Sequence, residues 1–315
     1  MEWFLLALNV VFSGITAISL KFYQKKNGMG AVSAHLFTAI MAGTIALVSI
    51  CVAKFSLTSN PTAFWISVIM GTFYAINMPL QGKAFSLGSV GLCGVFLNLG
   101  SLLLPFIYGV AFLGEGRGTA ELFKWAGLVV ALCAVLLQIP VTPKGESNKS
   151  EKPSLAFFLL GMGMLLVNGM FCVLLKVQAV IPNPATNAQV MFFAGLSGSV
   201  LSFAALGVYL LLQKYKRPCN CTAPAEDSTP QSQTAFPVPK TLLLAVVYGT
   251  ANGTINLLNL IIATKIPAAV HFSVLSCGGL LLMAILGIVL FKDKFTKKTA
   301  VTLLLASASI VFFAL

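Results

Sequence analysis

The chain is poor in charge. Asp, Glu, Lys and Arg make up only 9% of its 315 residues, where a water-soluble domain carries about a quarter. Acids are the scarcest, at eight against twenty Lys and Arg, and there are only two histidines. The eight acids are Glu2, Glu115, Glu121, Glu146, Glu151, Glu226, Asp227 and Asp293, and every one falls at the end of an apolar stretch or between stretches. No paired carboxylates are therefore available at depth for acid–base catalysis. His35 and His271 have no acidic neighbours, which makes a poor metal site, and the sequence asks for no cofactor. The first run is expected to stay as a helix and not to be a cleavable leader, since Met1-Glu2-Trp3 supplies no positive start and no small-residue cleavage site follows.

What fills the chain is apolar: 58% of the residues are hydrophobic. They come in runs at 3–22, 32–53, 63–82, 87–113, 122–140, 154–176, 187–212, 241–263, 267–291 and 298–315. A helix crossing about 30 Å of hydrocarbon needs roughly 20 such residues. The expectation is an all-α integral membrane protein of ten transmembrane helices, multi-pass in a lipid bilayer. The net charge of +12 does not point to nucleic acid, because the basic residues cluster in the short segments between runs, as loops at a membrane surface do. Cys51, Cys93, Cys133, Cys172 and Cys277 sit inside runs as small hydrophobes. Cys219 and Cys221 form a lone C-x-C in a polar segment and read as free thiols.

An internal repeat organises the chain. Gly71-Thr72 recurs as Gly249-Thr250, and the same offset of 178 carries Tyr74 to Asn252, Gln81 to Asn259, Asn98 to Ser276 and Glu115 to Asp293. A second offset, 155, superposes Ser13 on Asn168, Gly14 on Gly169 and Lys21 on Lys176. The chain divides into a first five-helix repeat (1–140), a linker (141–153) and a second five-helix repeat (154–315). Within the last, 213–240 reads as a disordered loop, too poor in apolar residues to pack. Five helices is an odd number, so the two repeats must be inverted, a plan that recurs in secondary carriers with midplane sites. Ten helices put both termini on one side. Five Lys and Arg fall on that side, Lys176 and Lys265 among them, and fifteen on the other. Positive charge marks the cytoplasm, so the termini are expected on the non-cytoplasmic face of the cell membrane.

Leu102-Leu103-Leu104-Pro105, then Phe112-Leu113-Gly114-Glu115, then Gly127 close the first repeat; Leu290-Phe291-Lys292-Asp293 is a degraded copy in the second, with Asp in place of Glu. Ile262-Ala263-Thr264-Lys265-Ile266-Pro267-Ala268 joins the eighth and ninth runs. These segments resemble the drug/metabolite transporter superfamily, of the EamA type. The resemblance implies a ten-helix carrier of small metabolites.

Polar residues inside the runs are the candidates for function, because an amide in lipid needs a partner or a wet cavity. Tyr248, Asn252, Asn256 and Asn259 share one face of the eighth helix. Tyr74, Asn77 and Gln81 share a face of the third. Asn98, Asn168, His271 and Ser276 add to these, with Asn9 and Ser13 on the first helix. The functional reading is a central cavity walled by helices 1, 3, 4, 6, 8 and 9 that binds a neutral or zwitterionic solute. The plainer alternative is interhelical hydrogen bonding, worth about 0.6 kcal/mol each. His271 is either a satisfied structural histidine or a group for proton coupling; exchange against a counter-substrate is the other coupling mode. Gly249-x-x-x-Gly253 has the spacing for close helix packing. The sequence favours a carrier of a small organic metabolite over a receptor or scaffold on the same fold. An intramembrane enzyme is disfavoured further, since only His271 could act as a base.

Overall fold

In the computed structural model the described residues are 2–28, 30–55, 61–87, 90–114, 120–137, 155–181, 186–216, 237, 239–291 and 297–314. They form ten helices: α1 (Glu2–Asn27), α2 (Ala31–Val52), α3 (Pro61–Leu87), α4 (Val90–Phe112), α5 (Ala120–Leu136), α6 (Leu155–Val180), α7 (Asn187–Lys216), α8 (Pro239–Ala263), α9 (Ala268–Phe291) and α10 (Lys297–Ala314). No strand occurs among the described residues. Each apolar run has become one helix. Several helices run past the apolar letters, because a helix keeps its backbone bonded into the polar zone. Thus α1 carries Lys25 and Lys26 in its last turn, and α7 and α8 take both ends of the segment expected as a loop at 213–240. The linker 141–153, the Cys219–Cys221 pair, Glu115 and Asp293 lie outside the described residues.

Local chemistry sets the ends. Pro61 and Pro239 open α3 and α8, where a missing N–H costs nothing. Thr186 and Gln189 make a reciprocal box before α7: Thr186 N–H donates to Gln189 Oε1 (3.1 Å) and Gln189 N–H to Thr186 Oγ1 (3.4 Å). Gly28 follows α1 at φ +67° and Gly114 follows α4 at φ +64°, a left-handed step that glycine takes without strain. Six helices, α1, α2, α3, α6, α7 and α8, are long and apolar enough to cross a membrane. The apolar stretches described in α4, α5 and α10 are shorter, at Phe96–Phe112, Leu122–Ala134 and Ala300–Phe312. The outer surface is correspondingly greasy, with Phe4, Leu47, Phe112, Leu122, Leu159 and Leu211 each more than 60% exposed. A surface of that kind belongs in lipid rather than water.

Most of the packing joins a helix of the first five to a helix of the last five. α2 packs on α7, α4 on α6, α1 on α8, α3 on α7 and α5 on α10. The pairs come as mates: α1 with α8 and α9 mirrors α6 with α3 and α4. The mates match residue by residue at the closest approaches. A Cβ on Gly100 would overlap the Leu165 carbonyl oxygen, and one on Gly278 would overlap Val10; a Cβ on Gly169 would strike Leu104, and one on Gly14 would strike Leu282. Those four contacts are related by the offsets 178 and 155 seen in the sequence. Likewise Gly71 meets Ala194 and Ser197 of α7, and Gly249 meets Met41 and Thr44 of α2. Gly249 therefore does pack closely, as its spacing implied. Two larger cores lie inside this frame. One gathers Tyr23, Phe37, Met70, Tyr74, Phe171, Leu175 and Phe272; the other gathers Leu6, Leu102, Phe106, Leu128, Val270 and Ala306.

A side chain at Gly100 must push α4 off the α6 backbone, while a Cβ on Gly207 meets nothing within 4 Å. Gly100→Leu should therefore lose most of the monodisperse peak in detergent size-exclusion chromatography, overpacking costing about 1–3 kcal/mol or more. Gly207→Leu should elute as the parent does.

Candidate functional site

Between α2, α3, α4, α6, α8 and α9 lies a cavity of about 200 Å³. The 3.6-residue period brings all four polar residues of the α8 stripe, Tyr248, Asn252, Asn256 and Asn259, onto its wall. Opposite elements add Tyr74 and Asn77 from α3, Ser101 from α4 and Asn168 from α6. The rest of the lining is apolar, including Met41, Phe73, Met78, Phe171, Cys172 and Leu175. Among the described residues that line it there is no Asp, Glu, Lys, Arg or His.

The polar groups are tied to each other across helices. Asn256 Nδ2 donates to the Tyr74 hydroxyl (2.6 Å) and more weakly to Asn252 Oδ1 (3.4 Å). This joins α8 to α3 inside the cavity. The Tyr74 ring also packs on Phe171, centroids 4.9 Å apart. Asn168 Nδ2 donates to the Leu97 carbonyl of α4 (2.9 Å). Behind Asn259, its Oδ1 accepts from Asn9 Nδ2 (2.5 Å) and from His271 Nε2 (3.0 Å). An amide oxygen can only accept, so this contact places the imidazole proton on Nε2. Asn77 Oδ1 is buried without a hydrogen-bond partner in the protein. Pro105 sits inside α4 and cannot donate to the Ser101 carbonyl four residues earlier, which leaves that acceptor unused by the helix ladder.

Of the residues expected at the site, Tyr74, Asn77, Asn168, Tyr248, Asn252, Asn256 and Asn259 line the cavity and four do not. Gln81 is buried at 4% exposure, beyond the lining. Asn98 is half-buried, and its carbonyl accepts from Ser101. Ser276 stands one layer out, its hydroxyl 3.0 Å from that of Ser101. His271 is fully buried, reaches the cavity only through Asn259 and stacks on Phe272. Helix 1 supplies no wall: Asn9 grips Asn259 from behind, and Ser13 bonds its own helix at Val10. Met41 of α2 takes a place in the lining that the sequence did not assign.

Lys176 is the largest departure. The charge count placed it in a loop, yet α6 continues to Val180 and Lys176 is buried at 5% exposure. Its ammonium donates to the carbonyls of Ala263 (2.8 Å) and Ile266 (3.2 Å) at the end of α8. No signal in the sequence marks this: a lysine near the end of an apolar run reads as a surface residue, and Lys21, its mate under the offset 155, is exposed. Groups of three or more metal-ligating side chains are absent among the described residues.

No family model matches the chain, and no curated protein matches it. Among solved structures, one described as "Crystal structure of protein" aligns over 99% of this chain and 95% of its own, with a TM-score of 0.68 at 15% identity. At that identity the likeness speaks for the fold alone.

Asn259 is the keystone of the buried network. Asn259→Leu leaves Asn9 Nδ2 and His271 Nε2 without their shared acceptor, at a cost of about 1–2 kcal/mol. The detergent-solubilised protein should unfold several degrees lower in a thermal-shift measurement. Thr264→Ala, which removes an exposed hydroxyl bonded only to the local carbonyl of Ile261, should leave the midpoint unchanged.

Proposed function

We propose that the chain is a secondary carrier that moves a small neutral or zwitterionic organic metabolite across a cell membrane by alternating access. It would do so as ten spans in two inverted five-helix repeats, of the drug/metabolite transporter kind and the EamA type. The observation that carries this reading is the cavity: helices from both halves enclose it, and its polar groups are amides, phenols and a hydroxyl. Asn77 Oδ1 is buried there without a partner in the protein, acceptor capacity that a polar solute entering the cavity would use. At about 200 Å³ the space falls below the roughly 300–1,000 Å³ of drug-sized sites, which suits a metabolite. The mated packing of α1–α8 with α6–α3, and the mated glycine contacts, support the repeat. Rocking of one bundle against the other follows from that symmetry.

Two mechanistic consequences follow. Export driven by a membrane-embedded carboxylate is disfavoured, because every acid falls outside the apolar runs. Proton coupling through His271 would act on the substrate only by way of Asn259, since His271 does not touch the cavity. Exchange or facilitated movement needs no such relay.

The test is flux. Purified protein in liposomes, offered amino acids, nucleosides and sugars, should take up at least one class, and Asn252→Leu should raise its KM roughly three- to tenfold, the worth of one neutral hydrogen bond. Absence of flux for every compound, with the fold intact, would sink the carrier reading in favour of a receptor or scaffold. Orientation is read separately. A cysteine added after Leu315, in a background without other cysteines, should react with an impermeant maleimide on whole cells if the termini face outward.

A further inference from the structure

The described wall of the cavity has no charge of its own, and the basic groups nearby are turned elsewhere. Lys176 directly follows the lining residue Leu175, but its ammonium donates to the carbonyls of Ala263 and Ile266. His271 points Nε2 at Asn259 and does not reach the cavity. A carboxylate inside a carrier can also rest on the N-terminus of a broken helix. The described lining offers none. Its residues all lie inside continuous helices, and the one nearest a helix start, Leu275, is about two turns past Ala268. The carboxylate of a zwitterion would meet no positive partner there, which is costly at membrane depth.

What the wall does hold is amides and rings. Asn77 Oδ1 of α3 is buried without a hydrogen-bond partner in the protein. Asn252 of α8 accepts a long bond from Asn256, at 3.4 Å. The aromatic part of the wall is braced: Tyr74 leans on Phe171 with centroids 4.9 Å apart, and Tyr248 meets Phe37 edge-on at 5.2 Å. Met41, Met78 and Leu175 extend the apolar part. A polyol suits such a mixed wall badly, because it carries hydroxyls all round its rim and each needs a partner once buried. A flat heterocycle suits it better, since its polar atoms lie along the edge and its two faces are apolar. An amide carries a donor beside an acceptor, the pattern that pairs with the edge of a base.

We propose that the solute is an uncharged nucleobase, a flat heterocycle whose N–H and C=O edge meets the amides of Asn77 and Asn252 and whose faces meet the aromatic and methionine wall. The proposal rests on the carrier reading above and narrows it from neutral or zwitterionic metabolites to one neutral class. A ring N–H of the base donates to Asn77 Oδ1, the acceptor that the protein leaves unused. The Asn252 amide takes a second polar atom of the edge. The rings supply the close contact that aromatic faces favour. About 200 Å³, below the range of drug-sized sites, accommodates one small ring system.

The test is binding of radiolabelled uracil and hypoxanthine to the full-length protein in detergent, read by scintillation proximity. At least one of the two should bind and be displaced by the same base unlabelled. Leucine, phenylalanine and glucose should displace it at least tenfold less well. The N-methylated form of the bound base, such as dimethyluracil with both ring N–H groups blocked, should also compete at least tenfold less well. Asn77→Leu should weaken binding roughly three- to tenfold, the worth of one neutral hydrogen bond, while Thr264→Ala should bind as the parent does. Binding of neither base, equal competition by an amino acid or sugar, or equal competition by the methylated base would overturn the proposal. If Asn77→Leu cannot be recovered from membranes, the methylated base decides on the parent protein alone. Flux in liposomes is a separate result. A base that binds without being carried leaves the site standing and sinks the carrier reading, whereas uptake of amino acids or sugars without base binding does the reverse.

Discussion

Hydrocarbon offers an amide no hydrogen bond, and that one fact shapes the molecule. It forces the backbone into helices that satisfy themselves. It also presses polar side chains inside a helix to find a partner, on another helix or on their own, or to open onto a cavity. Asn9, Asn259 and His271 meet that demand by sharing one oxygen. Asn168 meets it on the Leu97 carbonyl, and Asn256 on Tyr74. The cavity is what remains where the amides of α3, α6 and α8 face one another with capacity to spare.

The second demand is contact. Lipid tails are as apolar as leucine, so helices associate through close fit. Glycines provide it at matched places in the two halves, Gly100 with Gly278 and Gly169 with Gly14. These positions carry no chemistry of their own. They set how near α4 comes to α6 and α1 to α9, and through that spacing they set the walls around the amides.

Much of this was legible in the sequence, since length and hydropathy locate a membrane helix without reference to its neighbours. All ten runs became helices, and the α8 stripe faced the cavity because four residues at helical spacing share a face whatever packs against it. The two offsets reappeared as mated contacts. What escaped depended on neighbours. Gln81 lies on the face that carries Tyr74 and Asn77 but a turn too far along, and His271 is one layer too deep. Lys176 was misplaced because nothing in α6 announces that the carbonyls ending α8 lie within its reach. A solved structure shares this fold at only 15% identity, so the fold does not depend on most of the particular letters.

The interleaving of the halves bears on how the protein is made. The helices that α1, α2, α3 and α5 lean on most, namely α8, α7, α7 and α10, lie in the last five. The first five therefore leave the ribosome without their main neighbours, with Gly71 and Gly100 facing lipid where backbone and side chains of the second half belong. Insertion and assembly are consequently separate events for this chain. The early helices pack on one another only in part, α2 on α3 chiefly, and complete their packing once the second five have been made.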